Sequence, residues 1–326
     1  MRFDRSADRR ESLALADGRR LAYTVTGPPD GAPVIYCHGA IGTPVDATVD
    51  LARMTRALGI RYIAPSRPGV GGSDSRPGRT ILDFADDVCE LADALSLERF
   101  SIAGVSAGGP YALAVAHRLG ERVNRVALCS SLSPLCAPHR TPGMRPRIRL
   151  ALAAVARVPR LCEWLGDAVL PIVAQHPWLV GRVIAAHAAA SERQRVGSPE
   201  ERLAASRSFL DAACGGVGGM ISDYLTYSCS WGFDTAGVGC EVHLWHGLGD
   251  PLVPVEHALQ LAATLRRCRI FFDPDEGHHF FRSSLERILG VLVGREADPG
   301  RGVETTIDGV RARIREPGFG GRRAAA

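Results

Sequence analysis

The chain contains no lysine: all 39 residues of the Lys+Arg total are arginine. Without an ε-amino group there is no Schiff-base nucleophile, no lysine general base and no Walker-type phosphate loop. An arginine bias of this kind is what a GC-rich coding sequence produces. The nine cysteines include no CxxC pair, and Cys37, Cys129 and Cys162 stand in apolar runs, as buried, reduced thiols of a cytoplasmic protein would. Met1 to Arg20 is charged and lacks an apolar h-region, so no secretion signal is expected. The charge-free run from Ala168 to Gly181 holds Pro171 and Pro177 and is too short to span a bilayer. No internal repeat is present. No HxH or HExxH group occurs, and His243 and His246, three apart in a strand, project to opposite faces. Neither a metal site nor a cofactor is therefore expected. The glycine run Gly215 to Gly219 lacks the strand, lysine and spacing of a nucleotide loop, and reads as a hinge.

What is present is enough apolar material for one substantial core: 326 residues, 46% hydrophobic, with a formal charge of only +4. The basic side chains are spread along the chain, so nucleic acid is not the expected partner. Short β-branched runs alternate with segments of helical period, which predicts a mostly parallel sheet covered on both faces. Strands are expected at Arg20 to Val25, Val34 to Cys37, Arg61 to Ala64, Arg99 to Ala103, Val123 to Ser130, Val242 to Trp245 and Arg269 to Phe272. A hairpin turning at Asp17-Gly18 opens the sheet. Helices are expected near Asp46 to Leu58, Ile81 to Leu95, Gly109 to Leu119 and Phe281 to Leu292. The alternation is interrupted by a long helical stretch. The predicted organisation is a core over residues 1–133 and 236–295, a helical lid inserted at 134–235, and a Gly-, Pro- and Arg-rich disordered tail at 296–326.

Ser106 sits between the fourth of these strands and a helix, in Gly104-Val105-Ser106-Ala107-Gly108. A serine squeezed into a strand-to-helix turn needs a nearly reversed backbone, which small neighbours permit. Its hydroxyl would then stand at the carboxyl edge of the sheet and at a helix N-terminus, where a developing negative charge is favoured.

In this context the motif resembles the nucleophile elbow of the α/β-hydrolase family. Further resemblances follow in the family's order, covering about Leu13 to Val293. His38-Gly39-Ala40-Ile41-Gly42 is similar to the HGxxG loop. Ala64-Pro65-Ser66-Arg67-Pro68-Gly69-Val70-Gly71-Gly72-Ser73-Asp74 is similar to the DRPGxGxS turn, departing from it at Ser66, where an acid is usual. His246 to Pro254 looks like the loop that carries the acid, and Gly277-His278 like the glycine and histidine after the last strand. The resemblance implies a triad of Ser106, Asp250 and His278, with the amides of Ala107 and Ala40 as oxyanion donors and His38 shaping its loop. His279 is then left to pack or to face solvent.

The implied activity is hydrolysis of a small, apolar carboxylic ester through an acyl-enzyme. Thioester, lactone or carbon–carbon bond hydrolysis and acyl transfer use the same groups, and a non-catalytic ligand-binding protein that keeps the fold is the reading from another class. Serine at the elbow disfavours epoxide-hydrolase and dehalogenase chemistry. Ile41, Trp178, Tyr224 and Trp231 are candidates for the substrate wall, the aromatic ones competing with a role in the lid's own core. The expected partner is a small ester-like molecule. No stable membrane association is expected, with Arg145 to Val180 as an interfacial helical segment the competing reading.

Overall fold

In the computed structural model, which describes residues 9–43, 50–135, 144–295 and 303–306, nine strands form one sheet. They are β1 (Arg9–Ala14), β2 (Arg20–Thr26), β3 (Ala32–Cys37), β4 (Ile60–Pro65), β5 (Phe100–Val105), β6 (Val123–Cys129), β7 (Glu241–Gly247), β8 (Cys268–Asp273) and β9 (Val303–Thr305). Their spatial order is β1-β2-β4-β3-β5-β6-β7-β8-β9. Pairing from β4 through β8 is parallel, whereas β1, β2 and β9 run antiparallel to their neighbours. The opening hairpin turns as expected, with Gly18 in the left-handed region at φ 86°.

Helices α1 (Leu51–Leu58), α2 (Ile81–Ala94), α3 (Gly108–Leu119), α10 (Val255–Thr264) and α11 (Phe281–Leu292) cover the sheet. Alternate strand residues feed two cores. Ile35 and Cys37 face Phe84 of α2 and Tyr111 of α3, while Val34 and Tyr36 face Leu51 of α1 and Leu289 of α11. On α11, Leu285, Ile288, Leu289 and Leu292 recur at helical spacing and are buried, each stabilising the packed state by roughly 1.5–3 kcal/mol. Thr80 starts α2 with a capping box, accepting from the Asp83 amide while the Asp83 carboxylate accepts from the Thr80 amide.

The chain passes from β3 to β4 on one side and then returns to β5 on the other. The carboxyl ends of β3 and β5 therefore flank a topological switch point, where open α/β sheets bind ligands. The loop after β3 and the turn after β5 meet there. Between β6 and β7 the helical insertion comprises α4 (Pro146–Arg157), α5 (Pro159–Gln175), α6 (Trp178–His187), α7 (Arg193–Val196), α8 (Pro199–Ala212) and α9 (Gly218–Ser228).

Three expectations need correction. Residues 303–305, assigned to the disordered tail, pair with Ile270, Phe271 and Phe272 as β9, because the exposed edge of β8 offers them a ladder. Cys162 is only partly buried, since α5 has no fully buried residue. Helix α10 goes unanticipated: it is short and follows directly on Pro251 to Pro254, which read as loop. Of the helix expected from Asp46, residues 44–49 lie outside the described residues, and α1 begins at Leu51.

Candidate active site

Ser106 has φ 54°, a left-handed conformation that is strained for a side chain other than glycine or asparagine. The surroundings hold it there: its amide donates to the Cys129 carbonyl at 2.8 Å, and its carbonyl accepts from the Gly109 and Leu132 amides. The turn is possible because helix α3 touches β3 at its first residue. A Cβ on Gly108 would lie 2.1 Å from the Cys37 carbonyl oxygen.

Asp250 and His278 arrive from the loops after β7 and β8. His278 Nδ1 and Asp250 Oδ2 are 2.7 Å apart, and the other carboxylate oxygen accepts from the amides of Leu252 and Val253 at 2.8 and 2.9 Å. Burial alone would raise the Asp250 pKa, but His278, then His246 and the Val253 amide, hold it below the usual carboxylate range. For His278 burial works against the charged form, and the Asp250 carboxylate, with help from Glu192, outweighs it, so the imidazole is raised above its ordinary value. His278 and Ser106 line the same cavity.

Two further residues bear on His278, and sequence reading passed over both. Ser130, itself at φ 47°, points its hydroxyl at the His278 carbonyl at 3.3 Å. Glu192, between α6 and α7, is completely buried against Gly277, where a Cβ would stand 2.5 Å from its Oε2. Neither Glu192 oxygen has a hydrogen-bond partner among the described residues, and the Arg195 guanidinium stands 3.5 Å away. Burial pushes its carboxyl up to about 7. No local pattern marks it, since it is one glutamate in an arginine-rich stretch of the helical insertion.

The loop after β3 is anchored rather than free. His38 is fully buried, with Nδ1 2.9 Å from the Gly39 carbonyl and Nε2 accepting from the Arg67 amide at 3.3 Å. Burial, then the Arg67 charge, lowers its pKa to about 3, so it stays neutral and shapes the loop. The Arg67 guanidinium donates to the carbonyls of His38 and Gly39. Its counter-charge comes from the helical insertion: Asp223 on α9 pairs through Oδ2 with Arg67 Nε at 2.5 Å and through Oδ1 with Arg79, and also accepts from the Tyr111 hydroxyl at 3.0 Å. Both Arg67 and Asp223 are fully buried. The acid missing at position 66 is thus replaced by one 157 residues further on. The departure at Ser66 was the available signal, since it left Arg67 in need of a partner.

Ser106 and His278 open into an apolar cavity of about 350 Å³. Ala40, Ile41 and Tyr224 line it, together with Leu132 and Leu135 after β6, Ile148 and Leu152 of α4, and Val183 of α6. Ala107 is buried at the start of α3. Two expected wall residues lie elsewhere. Trp178 is not among the lining side chains and is half exposed under the Arg182 guanidinium. Trp231 is buried in the core, its indole N–H donating to the Tyr227 carbonyl, because stacking on Phe233 draws it away from the cavity. His279 lines the cavity and packs edge-on against the His278 ring, 5.3 Å between centroids.

A family model described as "alpha/beta hydrolase fold" matches residues 32–227. The chain is 26% identical over 253 residues to the uncharacterized hydrolase YcgS of Bacillus subtilis (strain 168), covering 77% of this chain and 85% of that one. Among solved structures it is similar to an esterase from Exiguobacterium antarcticum (TM-score 0.63, 21% identity, 86% of this chain and 97% of that one). It is also similar to a meta-cleavage product hydrolase from Pseudomonas fluorescens IP01 (TM-score 0.61, 21% identity, 87% and 96%).

Proposed function

The chain belongs to the α/β-hydrolase fold family, and from that premise we propose that it hydrolyses carboxylic esters of small apolar acids through an acyl-enzyme on Ser106. The observation that carries this reading is the 2.7 Å His278–Asp250 hydrogen bond in the cavity that Ser106 also lines. Asp250 accepts from His278 Nδ1–H, which leaves Nε2 with a lone pair. His278 takes the proton of the Ser106 hydroxyl as Oγ attacks the ester carbonyl. The carbonyl electron pair moves onto oxygen, where the amides of Ala107 and Ala40 are the proposed donors. Collapse expels the alcohol, protonated by His278. Water, deprotonated by the same imidazole, then attacks the acyl-enzyme and releases the acid.

The likeness to an esterase supports the ester reading. The apolar lining favours acyl chains longer than acetyl. All eight cysteines among the described residues are free, in keeping with a cytoplasmic setting.

The test is labelling with a fluorophosphonate probe and turnover of p-nitrophenyl esters graded by acyl length. Wild type is expected to label and to prefer a middle chain length, whereas Ser106→Ala loses labelling and roughly 10³-fold or more in kcat. A wild-type protein that neither labels nor turns over any ester overturns the proposal in favour of a binding protein.

A further inference from the structure

Helix α5 turns its apolar side to solvent. Leu161, Trp164, Leu165, Ala168 and Ile172 recur at helical spacing on one face, and all are exposed, Trp164 at 66% and Ile172 at 54%. The acids of the same helix are engaged on the other side: Asp167 accepts from the Val217 amide at 2.8 Å, and Glu163 lies against Gly218. Neither α4 nor α5 has a fully buried residue. Leu150 of α4, at 73%, and Val183 of α6, at 59%, extend the apolar surface. An exposed apolar helix face of this kind on a folded protein marks an interaction surface.

Charge selects the partner. Residues 145–187 hold six arginines against two carboxylates, so this segment carries a net +4, equal to that of the whole chain. The basic side chains are therefore not evenly spread, contrary to the sequence-based expectation. Arg147, Arg149, Arg157, Arg160 and Arg182 are all exposed. Tryptophan and arginine beside exposed aliphatic side chains suit the boundary between lipid headgroups and acyl chains. Two copies apposed through this face would bring like charges together. Among the described residues no single helix is long and apolar enough to cross a membrane, and α5 and α6 are bent by 110° at their junction, a shape for lying on a bilayer rather than spanning it.

We propose that the outer face of α4, α5 and α6 docks on an anionic phospholipid surface. Val183 and Ile41 line the cavity and are also largely exposed, so the cavity rim adjoins the docking face. An ester dissolved in the bilayer would enter the cavity without crossing water. Docking stands without Ser106; this route for substrate rests on the hydrolase reading.

The experiment is cosedimentation of the full chain with phosphatidylglycerol or phosphatidylcholine vesicles, using wild type, Ser106→Ala and the double variant Trp164→Glu with Ile172→Glu. Wild type and Ser106→Ala are expected to bind phosphatidylglycerol at least about 10-fold more tightly than phosphatidylcholine, and less tightly as salt rises. The double variant is expected to lose at least about 10-fold of that binding while melting like wild type and cleaving a soluble p-nitrophenyl ester at the wild-type rate. Absence of wild-type binding, or equal binding by the double variant, overturns the proposal. So does a lipid-independent dimer, seen by sedimentation velocity, that the double variant dissolves. Binding by wild type with no fluorophosphonate labelling would sink the hydrolase reading and leave docking intact.

Discussion

Asp250 is gripped on both oxygens, and that grip makes one substitution informative. Its Oδ1 accepts from two backbone amides and its Oδ2 faces His278 Nδ1. In Asp250→Asn the amide oxygen would stay with the two amides, because an NH2 there would meet two donors. The NH2 group would then face Nδ1, which must accept, placing the imidazole proton on Nε2. That tautomer cannot take a proton from Ser106. The expected outcome is a loss of roughly 10⁴-fold in kcat, with a melting temperature close to wild type. Steady-state kinetics beside thermal unfolding check it. A large fall in melting temperature with kcat barely changed would mean that Asp250 is a turn-former only.

At the scale of elements, helix α9 completes the anchoring of the loop after β3. Asp223 neutralises Arg67, and Arg67 holds the carbonyls of His38 and Gly39, immediately before Ala40. Asp223→Asn leaves Arg67 and Arg79 buried without a full counter-charge, at an expected cost of roughly 3–5 kcal/mol. In the fraction that stays folded, the proposed oxyanion loop loses its brace, so kcat should fall by about 10-fold or more with KM nearly constant. Urea titration and ester kinetics on the folded protein read the two effects separately. An unchanged kcat would show the pair to be structural only.

How far these elements were legible depends on the range of the forces involved. Strands β2 to β8 and helices α2, α3 and α11 were foreseen within a few residues, because burial on two-layer cores writes a local period into the chain. Ser106, Asp250 and His278 follow strand ends and carry short motifs. Arg67–Asp223 and Glu192–His278 do not, since they join the helical insertion to the sheet's loops across 156 and 86 residues. Trp178 and Trp231 stand outside the cavity lining for the same reason: residue type predicts an apolar neighbour without choosing between the substrate wall and the core.

Across the whole molecule, the shifted groups Asp250, Glu192 and His278, which act on one another, tie global stability to pH. Asp250 is depressed, so its contribution is present above its ordinary value of 3.8 and is lost as pH falls through the lower folded value. Glu192 is raised from 4.5 to about 7, so the folded state binds more protons than the unfolded one across that interval and stability declines as pH rises through it. His278, raised above 6.5, adds a loss of the same sign at higher pH. Replacing Glu192 with Gln removes the middle contribution alone. Near pH 4.5 a protonated glutamate and a glutamine are nearly equivalent, so the two proteins should unfold alike. At pH 8 the variant should be the more stable, by up to about 3 kcal/mol. Loss of the Glu192 charge also removes one of the influences that raise His278, so the acid limb of kcat/KM should move to lower pH. Denaturant titrations at pH 5 and pH 8, run beside the pH–rate profile, measure both shifts. Parallel stability curves with an unmoved acid limb would mean that the Glu192 carboxyl does not titrate against His278 in the folded protein.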